Sequence, residues 1–184
     1  MRATDQLMSE HHGIRSMLRI MDAVSRKLTA GEAVPPGSVA GIVDFLTVIV
    51  DRCHHGKEEM VLFPAMEKAG IPRTEGSVGI MLEEHEQERR LILRLGHAVR
   101  KLESGSAEAT RDIPEVIGEH VALLSRHIER ENNVLFPMAE LRLGKSEDFH
   151  LVEAFTELDA EMMGGSGLEA LRRMLKRMEK AFTT

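Results

Sequence analysis

The sequence predicts an all-α fold, an antiparallel up-down-up-down four-helix bundle with an additional C-terminal helical segment. Four long segments carry apolar residues at helical spacing, short Gly- and Pro-containing turns separate them, and two of them share a motif at an offset of 73 residues. Short loops favour antiparallel neighbours. We therefore expect a bundle over residues 1–144 and a helical extension over residues 145–184.

The first predicted helix covers about residues 4–30 and stops at Gly31. Its apolar positions are Leu7, Ile14, Leu18, Met21 and Leu28. A turn at Pro35-Pro36-Gly37 leads to Ser38, a suitable cap for a second helix that reaches about Ala69. These two helices form the first half of the predicted bundle.

The third predicted helix opens at Thr74 and ends at Ser104-Gly105, and the fourth runs from near Asp112 to Leu143-Gly144. Pro114 fits the first turn of the fourth helix, where a missing N–H costs least. Beyond Lys145 the pattern predicts a helix to about Met163, a flexible break at Gly164-Gly165-Ser166-Gly167 and a final amphipathic helix. This tail packs on the bundle or on a second subunit, and the second arrangement would make a homodimer.

Composition excludes several classes of protein. A formal net charge of −6 and the lack of a basic stripe argue against nucleic-acid binding. No apolar run is long enough to span a membrane, and the N-terminus is too polar for a signal peptide, so we expect a cytoplasmic protein without a membrane partner. A single cysteine, Cys53, agrees with a reducing compartment.

The chain contains two copies of one unit. His54-x-x-x-Glu58 precedes Leu62-Phe63-Pro64, and His127-x-x-x-Glu131 precedes Leu135-Phe136-Pro137 at an offset of 73 residues. Glu10-His11 and Glu84-His85 form a second repeated pair at an offset of 74 residues. Each copy therefore carries a lone His and then a His-x-x-x-Glu.

Helical geometry predicts which histidines face the bundle interior. His11 has more apolar residues than His12 at positions three, four and seven away, and His54 has more apolar surroundings than His55 and is also selected by the repeat. His85 and His127 face the core by the same criterion, and His12 and His55 should lie at the surface or beside the site. Burying four imidazoles and two carboxylates is unfavourable unless something compensates them. Hydrogen bonds among the six are one solution, and divalent metal is the better one, because it supplies positive charge and accepts a lone pair from each imidazole.

At these residues, over about positions 4–143, the sequence closely resembles the hemerythrin-like family of HHE cation-binding domains. The resemblance implies an antiparallel four-helix bundle around two non-haem, carboxylate-bridged Fe ions. It further implies that His11 and His54 bind one iron, that His85 and His127 bind the other, and that Glu58 and Glu131 bridge them. The internal repeat gives the same two-plus-two division.

One position departs from the family pattern. Oxygen-carrying hemerythrins present a second His one turn after the third-helix ligand, and this chain has Arg89 there. We expect a more symmetric, more open centre, completed by water or by a carboxylate such as Glu88. Arg89 would either pair with a bridging Glu or extend into solvent.

Other residues near the motifs have expected roles. His120 is either an ordinary buried histidine or a proton relay, Cys53 is a packed thiol, and His97 and His150 are structural or exposed. Pro64 and Pro137 should kink or end the regular helices, and Phe63 and Phe136 would shield the site from water.

Three functional hypotheses follow. The first, suggested by the resemblance together with the inward ligand set, is a di-iron protein that binds O2 or reacts with peroxide (H2O2) or nitric oxide (NO). The alternative is iron binding for sensing, buffering or donation without turnover. A structural bundle with a vestigial site is the third, and zinc or manganese would also suit the ligand types.

Overall fold

A computed structural model of the chain describes residues 1–35, 37–105, 111–162 and 169–182, and for residues 109–110 and 163–168 only the helical backbone. The described residues form helices and connecting turns without any strand, so the all-α class is confirmed. None of the described helices is long and apolar enough to cross a membrane. The alternating up-and-down order of the bundle stays a prediction.

Two bundle helices are regular along their whole length, α1 (Arg2–Thr29) and α4 (Gly76–Glu103). The second bundle helix is composite and consists of α2 (Ser38–Phe45), the π-helical segments π1 (Leu46–His55) and π2 (Glu58–Leu62), and α3 (Phe63–Lys68). The fourth consists of α5 (Ala109–Arg130), π3 (Glu131–Leu135) and α6 (Phe136–Arg142). Wider π turns therefore occur in both helices that carry a His-x-x-x-Glu motif.

The prolines explain where π2 and π3 end. Pro64 and Pro137 each occupy the second position of the α-helix that follows the π segment. A proline ring clashes with the carbonyl of a regular preceding turn and provides no N–H to it. The residue before each proline donates its N–H five residues back, from Phe63 to the Glu58 carbonyl and from Phe136 to the Glu131 carbonyl. The regular helix is interrupted as predicted, and the interruption falls on the two repeated glutamates.

The bundle core is divided into two apolar clusters with a polar layer between them. One cluster is built around Ile14, Met21, Phe45, Leu95 and Leu124. The other contains Leu7, Phe63, Met66, Phe136 and Phe155. Helix α1 packs against α5, and α5 packs against α4. The histidines of the repeated motifs lie in the layer between these clusters.

The C-terminal helix α7 (Lys145–Phe182) is a single element that packs against α1 and also contacts π1 and π2. Phe155 brings it into the second apolar cluster, and Met178 joins the first. The predicted break at Gly164 to Gly167 is wrong, because the backbone of α7 stays helical through residues 163–168. A glycine in a helix costs only about 1 kcal/mol relative to alanine and does not by itself end the helix. Pro36 of the predicted turn lies outside the described residues.

Candidate metal centre

The six predicted ligands converge in the bundle interior. Their side chains are at most 2% exposed: His11, His54, Glu58, His85, His127 and Glu131. They come from α1, π1, π2, α4, α5 and π3. Their donor atoms fall into two groups that could each hold a metal ion, His11 with His54 and Glu131, and His85 with His127, Glu58 and His55.

Each glutamate spans the two histidine pairs. One oxygen of Glu131 lies 3.1 Å from His11 Nε2, and the other lies 2.9 Å from His127 Nε2. Glu58 reaches the same two sides, with one oxygen 3.9 Å from His54 Nε2 and the other 3.4 Å from His85 Nε2. A carboxylate that points one oxygen to each of two donor pairs is placed to bridge two cations.

The outer nitrogen of each imidazole has a fixed partner. His54 Nδ1 lies 2.9 Å from Glu10, His85 Nδ1 lies 2.7 Å from Glu59, and His127 Nδ1 lies 3.0 Å from Glu84. His11 Nδ1 lies 3.0 Å from the side-chain oxygen of Asn132. These oxygens accept hydrogen bonds, so each Nδ1 carries the proton and each Nε2 presents a lone pair to the interior.

The inner nitrogens then face one another without a proton between them. His11 Nε2 lies 3.0 Å from His54 Nε2, and His85 Nε2 lies 3.2 Å from His127 Nε2. With both Nδ1 atoms protonated, neither contact is a hydrogen bond between neutral imidazoles. Both oxygens of Glu58 and of Glu131 are also buried without a hydrogen-bond partner. Cations between these lone pairs remove both conflicts, so the donor set fits a pair of bound metal ions.

The two glutamates influence each other's ionisation. Burial and the neighbouring charge of Glu131 raise the pKa of Glu58 well above its ordinary value. Burial alone would also raise the pKa of Glu131, but the imidazoles of His127 and His11, whose Nε2 atoms lie 2.9 and 3.1 Å from its oxygens, stabilise the carboxylate and bring its pKa well below the ordinary value. The metal-free site therefore favours one ionised glutamate, whereas bound cations would allow both to be ionised.

Two of the carboxylates that accept hydrogen bonds from the imidazoles, Glu10 and Glu84, are also paired with positively charged side chains. Lys57 Nζ lies 2.6 Å from Glu10 and 2.7 Å from Asp159 of α7, while its side chain is only 3% exposed. Arg130, which occupies the repeat position equivalent to Lys57, pairs with Glu84. Burial alone would raise the pKa of Glu10, but the hydrogen bond and charge of His54, together with Lys57, lower it to about 2.

Sequence reasoning missed His55. This side chain is 1% exposed, its ring stacks on His85 at 3.9 Å between centroids, and it joins the group around Glu58. The α-helical step used for the prediction separates His54 and His55 around the helix, but both lie in π1, where each turn is wider and the angle between successive residues is smaller. His12, by contrast, is exposed.

The expected pairing of Arg89 with a bridging glutamate is wrong. Arg89 donates to Glu59 at 2.7 Å and also pairs with Asp51 and Glu86. Because Glu59 accepts the hydrogen bond from His85 Nδ1, Arg89 acts on the site through that carboxylate. Arg15 pairs with Glu129, with the two atoms 3.8 Å apart.

The remaining histidines divide between the interior and the surface. His120 is fully buried, and its Nε2 lies 3.7 Å from Glu88. His97 and His150 are exposed. Cys53 is a buried free thiol, and burial raises its pKa to about 11, as expected for a packed residue.

The bundled helices and the buried layer of His and Glu side chains are together the features of a metal-binding helical protein. Residues 2–139 match the sequence model of the hemerythrin HHE cation binding domain, and the chain belongs to this family. No solved structure gives a significant match.

Three similar curated proteins each share at most 28% sequence identity with the chain. The chain is similar to an iron-sulfur cluster repair protein of Cronobacter sakazakii, with 28% identity over 137 residues, 72% of this chain and 62% of the relative. The corresponding protein of Salmonella typhimurium is 27% identical over 133 residues, 70% of this chain and 60% of the relative. The chain thus spans less than two thirds of both. An uncharacterised protein of Mycobacterium tuberculosis is 21% identical over 179 residues, 97% of this chain and 69% of the relative.

Proposed function

We propose that this chain is a non-haem di-iron protein whose centre binds O2 or reacts with peroxide or nitric oxide. The observation that carries the proposal is the arrangement of four inward Nε2 lone pairs with two carboxylates that each span both histidine pairs. Membership of the hemerythrin HHE family supports iron as the metal.

The proposed ligands have distinct tasks. His11 and His54 would hold one iron, His85 and His127 the other, and Glu58 and Glu131 would bridge them. A bound iron pair supplies two electrons to a small oxidant when both ions are ferrous. The chain's own contribution is to fix the imidazoles through their outer partners and to keep the bridging glutamates out of water.

Two phenylalanines limit solvent access. Phe136 stacks on His11 at 5.7 Å between ring centroids, and Phe63 stacks on His85 at 6.0 Å. Both are buried, and they occupy equivalent positions in the internal repeat. They cover the same side of each histidine pair and would slow the escape of reactive species.

Removal of one bridging carboxylate tests the proposal. Glu131→Ala should lose bound iron and leave a protein that develops no new near-ultraviolet or visible absorption when the anaerobically loaded sample meets O2 or nitric oxide. Glu129→Ala is the matched control, because Glu129 lies on the same bundle helix but its side chain is 69% exposed. A wild-type chain that loads with iron and stays colourless with O2, peroxide and nitric oxide would contradict the reactive function.

The second candidate is reversible iron binding for sensing, buffering or donation. The relatives named as iron-sulfur cluster repair proteins favour it. Its measurement is the rate at which ferrous iron leaves the loaded chain, followed by transfer to an apo iron-sulfur protein. Rapid transfer without spectral change on oxidant addition would support this candidate over the first.

A further inference from the structure

A second set of buried polar groups lies beside the proposed dinuclear centre. Among the described residues, the buried side-chain N and O atoms without a hydrogen-bond partner belong to His55, Glu58, Glu88, Arg89, His120 and Glu131. The dinuclear centre accounts for Glu58 and Glu131. It does not account for Glu88 and His120, in which both oxygens and both ring nitrogens lack partners.

Three bundle helices bring this set together. Glu88 comes from α4, His120 from α5 and His55 from π1, and each is at most 1% exposed. One oxygen of Glu88 lies 3.7 Å from His120 Nε2 and 4.0 Å from His55 Nε2. These distances are too long for direct hydrogen bonds. They suit donors that share a cation, since two donors at about 2.1 Å from one ion can be up to roughly 4.2 Å apart.

At two of the three positions the other copy of the internal repeat carries an apolar residue. The residues equivalent to His55 and Glu88 in the other half of the chain are Ile128 and Ile14, and both are buried core residues. Each half therefore has one polar residue where the other half has a buried isoleucine, His55 in the first half and Glu88 in the second. Polar groups that took such places without gaining a partner would destabilise the fold.

Among the described residues, no Lys or Arg side chain forms an ion pair with Glu88 to balance its negative charge. The ion pairs of Glu88 within the described part of the chain are with the two imidazoles, and the nearby Arg89 is directed to Asp51, Glu59 and Glu86. Water could satisfy hydrogen bonds in this space but would leave a buried carboxylate uncompensated. A divalent cation satisfies the carboxylate and both imidazoles together.

We propose that His55, Glu88 and His120 form a third, mononuclear cation site next to the dinuclear centre. Two histidines and one carboxylate are the donor set that suits ferrous iron with open coordination positions. His55 connects the sites, because its ring also lies with Glu58, His85 and His127. Tests therefore use Glu88 and His120, which belong to the third site alone.

The test counts ferrous ions on the full chain. Wild-type protein loaded with Fe(II) without oxygen, then desalted, should retain a third equivalent beyond the dinuclear pair. His120→Ala and Glu88→Ala should each retain one equivalent less, and His120→Gln serves where the alanine variant does not fold. His97→Ala, an exposed histidine on the same helix as Glu88, should retain the wild-type amount.

Manganese gives an independent measurement. Wild-type protein loaded with Mn(II) should show the hyperfine signal of an isolated ion in addition to the signal of a coupled pair, and His120→Ala should lose only the isolated ion. Two equivalents in both wild type and His120→Ala would overturn the third site and leave the dinuclear centre intact. A wild-type chain that retains no metal would overturn both proposals.

Discussion

At the scale of single residues, the partner of each Nδ1 fixes which ring nitrogen of the inward histidine faces the interior. Three of the four inward imidazoles donate to carboxylates, Glu10, Glu59 and Glu84, and His11 donates to the neutral amide of Asn132. Asn132 and Glu59 are equivalent in the repeat, so the halves differ in charge at this position. A carboxylate partner strengthens the imidazole as a metal donor, and its loss should therefore weaken metal binding.

Glu84→Gln tests this effect. The amide keeps a hydrogen-bond acceptor for His127 but removes the charge, so metal affinity should fall by roughly 10–100-fold, as measured by competition with a chromophoric chelator. Glu83→Gln changes the charge of the neighbouring exposed residue and should leave affinity unaltered. Equal affinities for the two variants would show that the Glu84 charge does not act on the site.

The depressed pKa of Glu10 predicts how the metal-free chain responds to acid. Its ordinary pKa is 4.5, and in the folded chain it is about 2. The folded state thus binds fewer protons at this group than the unfolded state, and the resulting stabilisation is present above about pH 4.5 and is lost as the pH falls towards 2. Urea unfolding at several pH values, with a chelator present, should show a shallower decline for Glu10→Gln. Parallel declines would contradict this assignment.

At the scale of elements, the π segments carry three of the six proposed ligands, His54, Glu58 and Glu131. Apolar periodicity predicted four bundle helices and placed His11, His54, His85 and His127 inside, where they lie. It did not predict π1, since local propensity does not distinguish α from π turns, and it therefore placed His55 outside or beside the site. A signal was nonetheless present, because the repeat pairs His55 with Ile128, and a polar residue at a core position indicates a special environment.

The C-terminal helix contributes to the surroundings of the centre. Asp159 of α7 contacts Lys57, Lys57 contacts Glu10, and Glu10 accepts the hydrogen bond from His54 Nδ1. The sequence predicted a helical tail and left its packing surface open. Packing of α7 against α1 could not be predicted from periodicity, because an apolar stripe does not identify what covers it.

Asp159→Asn should therefore destabilise the chain. The nearly buried Lys57 would keep one carboxylate partner instead of two, at a cost of about 1.5–3 kcal/mol in the free energy of unfolding. Glu157→Gln makes the same charge change at an exposed position of α7 and should cost less than about 0.5 kcal/mol. Denaturant unfolding of both variants distinguishes them, and equal stabilities would mean that Asp159 contributes nothing to holding Lys57.

At the scale of the whole molecule, the polar layer divides the apolar core and destabilises the metal-free fold. Bound metal should add stability because it binds the folded state, by about 2.7 kcal/mol when free metal is at 100 times the dissociation constant. Thermal unfolding of wild-type protein should move to higher temperature with Fe(II) and return with a chelator. The Glu131→Ala variant should show little change, and an equal response in both proteins would place the stabilising metal elsewhere.

The most direct test of the central claim is anomalous X-ray diffraction from crystals of the iron-loaded chain, measured at the iron absorption edge. Two peaks should lie between the histidine pairs, one near the Nε2 atoms of His11 and His54 and one near those of His85 and His127, with Glu58 and Glu131 reaching both. Empty density among these four imidazoles, with iron bound elsewhere or not at all, would contradict the account.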